Sequence, residues 1–387
     1  MLAKNPFAGK DEGSVIIVAA ACEAAPSCRR FFLPMRSPRV LVAYNEPVLP
    51  ADHPDAASEH DIVETSASVE KVLAAAGFNT ARIAYARHPG DLLRKVRAWD
   101  PDVVFNLFEG EADHTETEIA NAATLEWLNV TFTGSSSSGL ALGRDKVRTK
   151  FMLQGAGLPT APFAVVDELP AAPWPHGWPA IVKPAYQDSS VGIDQGAVVT
   201  SQKELESRAA YVFERYGGPV LVEQFIKGRE FHVNMFEEPG DGPPWRRLQV
   251  VPLAEIRFDH VEGKDYWPIY SFAAKWDEKS LEYEATPLDT GITLPSPLME
   301  KVSSICVAAY KLLGLRDYGR VDLRLTPDNE PYILEVNPNP YLNSIALIDG
   351  IIAMGRKHED FVCNIVRNAL IRHIPKEEPA NRAQQLL

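Results

Sequence analysis

The chain has 387 residues, 45% of them hydrophobic, enough to bury a substantial core and more than one average domain requires. Its 39 Lys and Arg against 52 Asp and Glu leave a formal charge of -13, which opposes extended contact with a phosphate backbone and excludes nucleic acid in favour of small-molecule partners. No apolar run approaches the roughly 20 residues that span a bilayer, and Cys22, Cys28, Cys306 and Cys363 lack the spacing of a zinc site or disulfide framework, so a cytoplasmic protein with no membrane contact is expected.

Residues 1–38 hold a short apolar run (15–21) directly after Asp11 and Glu12, the wrong charge for a signal peptide. They read as a disordered extension, as do residues 376–387 as a tail. From Arg39 the pattern changes to alternating elements: strands at 40–43, 80–84 and 102–107, with helices at 63–76, 91–98 and 116–128. That alternation predicts a parallel sheet with helices on its faces, spanning 39–143, and ligands beyond the strand ends near Asn45, Glu46 and 106–111.

A Ser-rich turn then leads into a helix at 144–156, stopped by Gly157 and Pro159. Strands at 180–183, 197–199 and 220–224 around a helix at 202–216 predict an α+β unit over 144–224. A third unit, 225–375, carries strands at 230–235 and near 248–256, a helix at 296–313, and strands at 318–325 and 332–336 joined by a hairpin at 327–330. The fold class is therefore mixed α/β and α+β.

The densest chemistry lies in that last hairpin. Paired antiparallel strands bring Asp322, Glu335 and Asn337 together, three hard oxygen donors of the kind Mg²⁺ takes alongside water and phosphate. Arg320, two residues before Asp322, shares its strand face and can stabilise developing oxyanion charge, or form a structural salt bridge with a carboxylate. Lys183 leaves a buried strand into the loop Y-Q-D-S-S-V-G (186–192), where Ser189, Ser190 and free backbone N–H groups can meet phosphate; taken alone, the loop is equally an ordinary turn. The strand V-L-V-E-Q-F-I (220–226) can read the edge of a base and Glu230 can accept from ribose hydroxyls, although from pattern alone it is a simple interdomain strand. Lys146 and Lys275 are the remaining phosphate candidates, or surface lysines.

In order and spacing, T-G-S-S-S-S-G-L-A-L-G-R-D-K-V-R-T-K (133–150), Q-G-A-G-L-P-T-A-P (154–162), I-V-K-P (181–184), S-S-V-G (189–192), G-R-V-D (319–322) and L-E-V-N-P (334–338) make the chain from about 39 to 374 resemble the D-alanine:D-alanine ligase-like branch of the ATP-grasp superfamily. The resemblance implies an ATP-grasp fold behind an N-terminal parallel α/β domain. ATP would be bound by Lys146 and Lys183 at the inner phosphates, Ser190 in the loop, Glu223, Gln224, Phe225 and Ile226 at adenine, Glu230 at ribose, and Leu334. Two Mg²⁺ ions, or Mn²⁺ in their place, would sit on Asp322, Glu335 and Asn337, while Arg320, Lys275 and Ser189 would form the catalytic set. The implied reaction joins a small-molecule carboxylate to an amine through an acylphosphate, and a homodimer is left open. D-alanine–D-alanine ligation in cell-wall synthesis and a non-catalytic nucleotide-binding regulator are the alternatives.

The chain departs from that family around both amino-acid pockets. The Gly-rich loop after the first strand is absent, Glu109 and Gly110 replace a His-Gly pair, Trp276 replaces a tyrosine, and Pro338, Asn339, Pro340, Tyr341, Leu342 and Asn343 replace Thr-Ser-Pro-Gly-Met-Thr.

Overall fold

A computed structural model describes residues 36–49, 56–86, 88–111, 114–240, 243–259 and 265–372. The expected extension and tail lie outside these, apart from residues 36–38. Among the described residues no helix is long and apolar enough to cross a membrane, and Cys306 and Cys363 are buried and free.

Strand β1 (Arg39–Asn45) is the centre of a three-stranded parallel sheet between β2 (Asn79–Tyr85) and β3 (Val103–Leu107). Its unbroken apolar run serves two cores at once. Val40, Val42 and Tyr44 pack with Ile62, Val69 and Leu73 of α1 (Ala56–Ala75), whereas Leu41 and Ala43 pack with Leu92 and Val96 of α2 (Pro89–Trp99) and Ala122 and Leu125 of α3 (Thr117–Trp127). A parallel strand covered on both faces needs apolar residues at every position.

The Ser-rich turn expected before residue 144 is instead a helix, α4 (Ser137–Arg144), because Ser136 caps it by accepting from Gly139 N at 3.2 Å. It breaks at Asp145, whose carboxylate caps α5 (Lys146–Gly155) through Arg148 N at 2.9 Å. The single helix expected over 144–156 is thus the second of two, and Lys146 stands at its first position.

An antiparallel sheet follows in the order β4 (Phe163–Val166), β7 (Val220–Gln224), β5 (Ala180–Pro184), β6 (Val198–Val199), backed by α6 (Gln202–Tyr216). Val182, Val220 and Val222 face that helix; Ile181, Lys183 and Glu223 alternate to the other side and line a cavity.

The last sheet contains β8 (Arg229–Glu237), β9 (Leu248–Val250), β10 (Leu253–Ile256), β11 (Leu288–Ile292), β12 (Tyr318–Leu325) and β13 (Pro331–Pro338), ordered β11-β10-β8-β12-β13 with β9 also on β8. Short helices α7 (Phe272–Trp276) and α8 (Leu281–Glu284) precede β11, and α9 (Ser296–Leu312) backs the sheet. Phe231, Val233, Met235, Val321, Leu323 and Leu325 pack under Val302, Cys306 and Tyr310 of α9. The intervening Glu230, His232, Arg320, Asp322 and Arg324 therefore project from the opposite face. Helices α10 (Ile345–Ala353) and α11 (His358–Arg372) close the chain, the second packing Phe361, Ile365 and Val366 into the β1 core.

Candidate functional site

Between the polar faces of the two antiparallel sheets lies a cleft with about 900 Å³ of empty space, open solvent included. Its walls come from the segments expected to hold nucleotide and metal: Lys146, Lys183, Ser190, Glu223, Gln224, Phe225, Ile226, Glu230, Lys275, Asp322, Leu334 and Glu335 all line it, whereas Asn45, Glu46 and 106–111, expected near a ligand, do not. A groove with apolar walls and a few converging charges suits a small ligand.

One end is a cluster of carboxylates and cations. In the β12–β13 ladder Asp322 stands opposite Glu335 and Arg320 opposite Asn337. Arg320 grips both oxygens of Asp322 at 2.6 and 2.9 Å, and Asn337 Nδ2 donates to Asp322 at 3.0 Å. Burial opposes ionisation of Asp322, but Arg320, then His232 and Lys275, outweigh it and hold the carboxyl down at about 2. Across the cleft Lys146 Nζ meets Glu335 at 2.5 Å and donates to the Gln187 carbonyl at 2.5 Å. Burial, and then Arg320, lower the pKa of Lys275, whose ammonium lies 4.9 Å from the Tyr270 ring.

A bulge between Asp322 and Leu323 shifts the β12–β13 register by one residue, so Leu334 and Glu335 both reach the cleft instead of alternating away from each other. Arg320 and Asn337 act on Asp322 without lining the cleft, and Ser189, exposed on the loop, does not line it either, its carbonyl accepting from Trp276 Nε1 at 3.4 Å.

The loop after β5 is tied down from both sides. Ser189 and Ser190 adopt positive φ (50° and 64°), and Ser190 Oγ donates to the Tyr270 carbonyl at 2.8 Å. Next to them, Asp188 binds Arg144 at 3.0 Å, and Arg144 in turn holds Glu118 at 2.7 Å and Thr115 Oγ1 at 2.8 Å. Arg144 is thus the tether between α3, α4 and the loop. Asp188→Asn should speed amide exchange over 188–192 by roughly three- to tenfold with the melting temperature unchanged, as read by hydrogen-exchange mass spectrometry. Unaltered exchange there would mean the tether does not hold the loop.

The other end is apolar. Ile181, Ala197, Val198, Phe225 and Ile269 form one cluster at the point where β7 leaves its sheet. Glu223, 1% exposed, is flanked as an ion pair by Lys150 and by Lys183, the latter at 2.6 Å. Burial resists its charge, yet the two lysines keep its carboxyl at about 2.

Sequence reasoning passed over His232, Arg324 and Lys150. The first two occupy the same strand alternation that exposes Glu230, Arg320 and Asp322, and that period was the available signal. Burial, ahead of the pull of Asp322 3.8 Å away, pushes His232 down to about 3, so it stands neutral in the cleft. Glu109 does not line the cleft; desolvation and then Glu118, Asp188 and Asp61 raise its pKa.

Two antiparallel sheets closing on a lysine-lined cleft, behind a parallel α/β layer, make this an ATP-grasp fold. The family model described as "D-ala D-ala ligase C-terminus" matches residues 152–367, and the chain belongs to that family of ATP-grasp ligases. It is 30% identical over 310 residues to the D-alanine–D-alanine ligase of Geobacter sulfurreducens, covering 79% of this chain and 88% of that protein. It is also 30% identical over 243 residues to the uncharacterised protein y4sG of Sinorhizobium fredii, covering 62% and 66% respectively. The crystal structure of Bacillus anthracis D-alanine–D-alanine ligase complexed with ATP superposes with a TM-score of 0.64 at 22% identity, over 87% of this chain and 98% of that one.

Proposed function

We propose that the chain is an ATP-dependent carboxylate–amine ligase that works through an acylphosphate. The observation that carries this reading is the convergence, on one cleft, of the ionised Asp322 and the Glu335 side chain with Lys146, Lys183 and Lys275. Such a set separates the two tasks of phosphoryl transfer: cations for the triphosphate and hard oxygens for its divalent counter-ion.

In this reading the base lies between Ile181 and Ile269 against the 223–226 segment, and Glu230 receives the ribose. Lys146 and Lys183 exchange their present partners, Glu335 and Glu223, for phosphate oxygens. Lys275, lowered in pKa by burial and Arg320 against the pull of Asp322, Glu335 and Glu230, approaches the transferring phosphate. Arg320 reaches from Asp322 towards the oxyanion of the acyl-transfer step. The attacking amine then displaces phosphate from the acylphosphate, forming the amide bond.

The donor set fits Mg²⁺: Asp322, Glu335 and the Asn337 amide are hard oxygens on paired strands. No group of three His, Cys, Asp or Glu among the described residues could hold a metal unaided, so part of the coordination shell falls to phosphate and water. When bound, Mg²⁺ supplies neutralisation of the charge that develops on the phosphates.

D-alanine is the first substrate to test, because that is the substrate in the name of the Geobacter relative. The rebuilt segment 338–343 favours a different second substrate: Tyr341 and Asn343 hydrogen-bond to Thr65 of α1, at 3.3 and 3.1 Å. Purified protein with Mg-ATP and pooled acids and amines should release ADP and phosphate only when both partners are present. Tight ATP binding with no product from any pairing would instead support the non-catalytic regulator.

Lys183→Ala should weaken ATP binding by roughly ten- to a hundredfold, the range for losing a hydrogen bond to a charged group, as measured by isothermal titration calorimetry. Unchanged affinity would remove Lys183 from the nucleotide site.

A further inference from the structure

Arg324 is 3% exposed, lies on β12 two residues after Asp322, and bonds three walls of the cleft with one guanidinium. Nη1 donates to the Ile226 carbonyl at 2.7 Å, Nη2 donates to the Pro268 carbonyl, and Nε and Nη2 reach Glu230 Oε2 at 2.9 and 2.8 Å. Its plane is flanked by the Phe225 ring at 4.9 Å and the Phe258 ring at 5.4 Å. A lysine could not reproduce this: the fork directs five donors in one plane, whereas an ammonium is a point charge.

Both contacts to Glu230 fall on the same carboxylate oxygen, so the other is the one offered to the cleft that Glu230 lines. The approach of β8 to β12 that permits this needs Gly228, at φ 153°, where any Cβ would collide with the Leu325 carbonyl. Glu230 is thereby held in one orientation, and a carboxylate fixed in advance discriminates hydroxyl from hydrogen better than one that can rotate to another partner.

We propose that Arg324 is the positioning residue that gives the site its selectivity for an intact ribose, by holding Glu230 with one oxygen locked and the other presented to the sugar hydroxyls. This rests on the nucleotide reading above and deepens it. The guanidinium also fixes the Ile226 carbonyl and the segment before Ile269, so base wall and sugar wall keep a constant spacing.

The test is calorimetric titration of the full chain, in Mg²⁺, with ATP, 2′-deoxy-ATP and 3′-deoxy-ATP. The wild-type protein should prefer ATP over at least one deoxy analogue by roughly tenfold or more, as expected for a lost hydrogen bond to a carboxylate. Arg324→Lys and Arg324→Met should bind ATP more weakly yet bring that ratio to within about threefold. A purely structural role predicts the opposite, equal losses for all three nucleotides with the ratio preserved, and that result overturns the proposal. So does a wild-type protein that binds all three alike, which needs no variant to fold. Failure of the wild-type protein to bind any of them would instead strike at the nucleotide site itself.

Discussion

Asp322→Asn should lower ATP-dependent product formation by a factor of roughly a thousand or more while the protein still folds, because it removes several kcal/mol of charge interaction from the reacting phosphates. The amide keeps the shape of the side chain and one acceptor oxygen, so β12, β13 and the core beneath them have no reason to rearrange. The charge is what disappears. In the wild-type protein Arg320 holds that charge with two hydrogen bonds and Asn337 adds a third.

The same substitution has a cost in stability whose pH dependence follows from the carboxyl being held at about 2 against an ordinary value of 3.8. A depression of this size corresponds to about 2 kcal/mol of folding free energy. Because the folded-state pKa is the lower one, the contribution is complete above about pH 4 and is lost as the pH falls through about 2. Urea titrations at pH 7 and pH 3 should therefore show the wild-type protein more stable than Asp322→Asn by about 2 kcal/mol at the higher pH, with a narrower gap at the lower. Normal product formation by the variant would remove Asp322 from the metal site, whatever its stability.

The pairing of β12 with β13 was legible because apolar and polar residues alternate there without exception from Arg320 to Leu325, and because Asp328 and Asn329 mark the turn, with Asn329 at φ 62°. The bulge beside Leu323 was not: one displaced residue leaves no trace in composition, yet it decides that Leu334 and Glu335 share the cleft. Short edge strands escaped for a related reason. β4 has four residues and, among the described residues, pairs with β7 alone, and β11 lies at the end of its sheet, after α7 and α8 in the chain. Neither carries enough alternation to stand out.

Helix α4 was hidden by the run of four serines at 135–138, two of them before the helix and two in its first turn, because serine disfavours a helix interior but favours its start. Arg324 and His232 were hidden differently. Each is one of several polar residues on an alternating strand face, and what gives it a particular place is the partner on another strand: Glu230 for the first and Asp322 for the second. Such partnerships are set by sheet order β8-β12-β13, which local pattern does not determine.

Glu223→Ala should destabilise the protein by about 3–5 kcal/mol in urea unfolding, the usual loss when one partner of a buried ion pair is removed. Glu223 and Lys150 are each 1% exposed, and the Lys150 ammonium would keep only Thr160 Oγ1 at 2.7 Å and the Ile333 carbonyl at 3.1 Å. Burial already lowers the pKa of Lys150 with its counter-charge present. Removing the second member should therefore restore most of the loss: Glu223→Ala with Lys150→Met exchanges an orphaned charge for an apolar side chain of similar length. A double variant no more stable than the single one would show that the pair is not coupled. The position of the pair explains why its loss should be felt beyond β7. Lys150 belongs to α5, Thr160 bridges Ile333 on β13, and Glu223 lies on the neighbouring antiparallel sheet beside Lys183. One ammonium therefore joins the two sheets that form the cleft, and its counter-ion also orients a lysine that lines it.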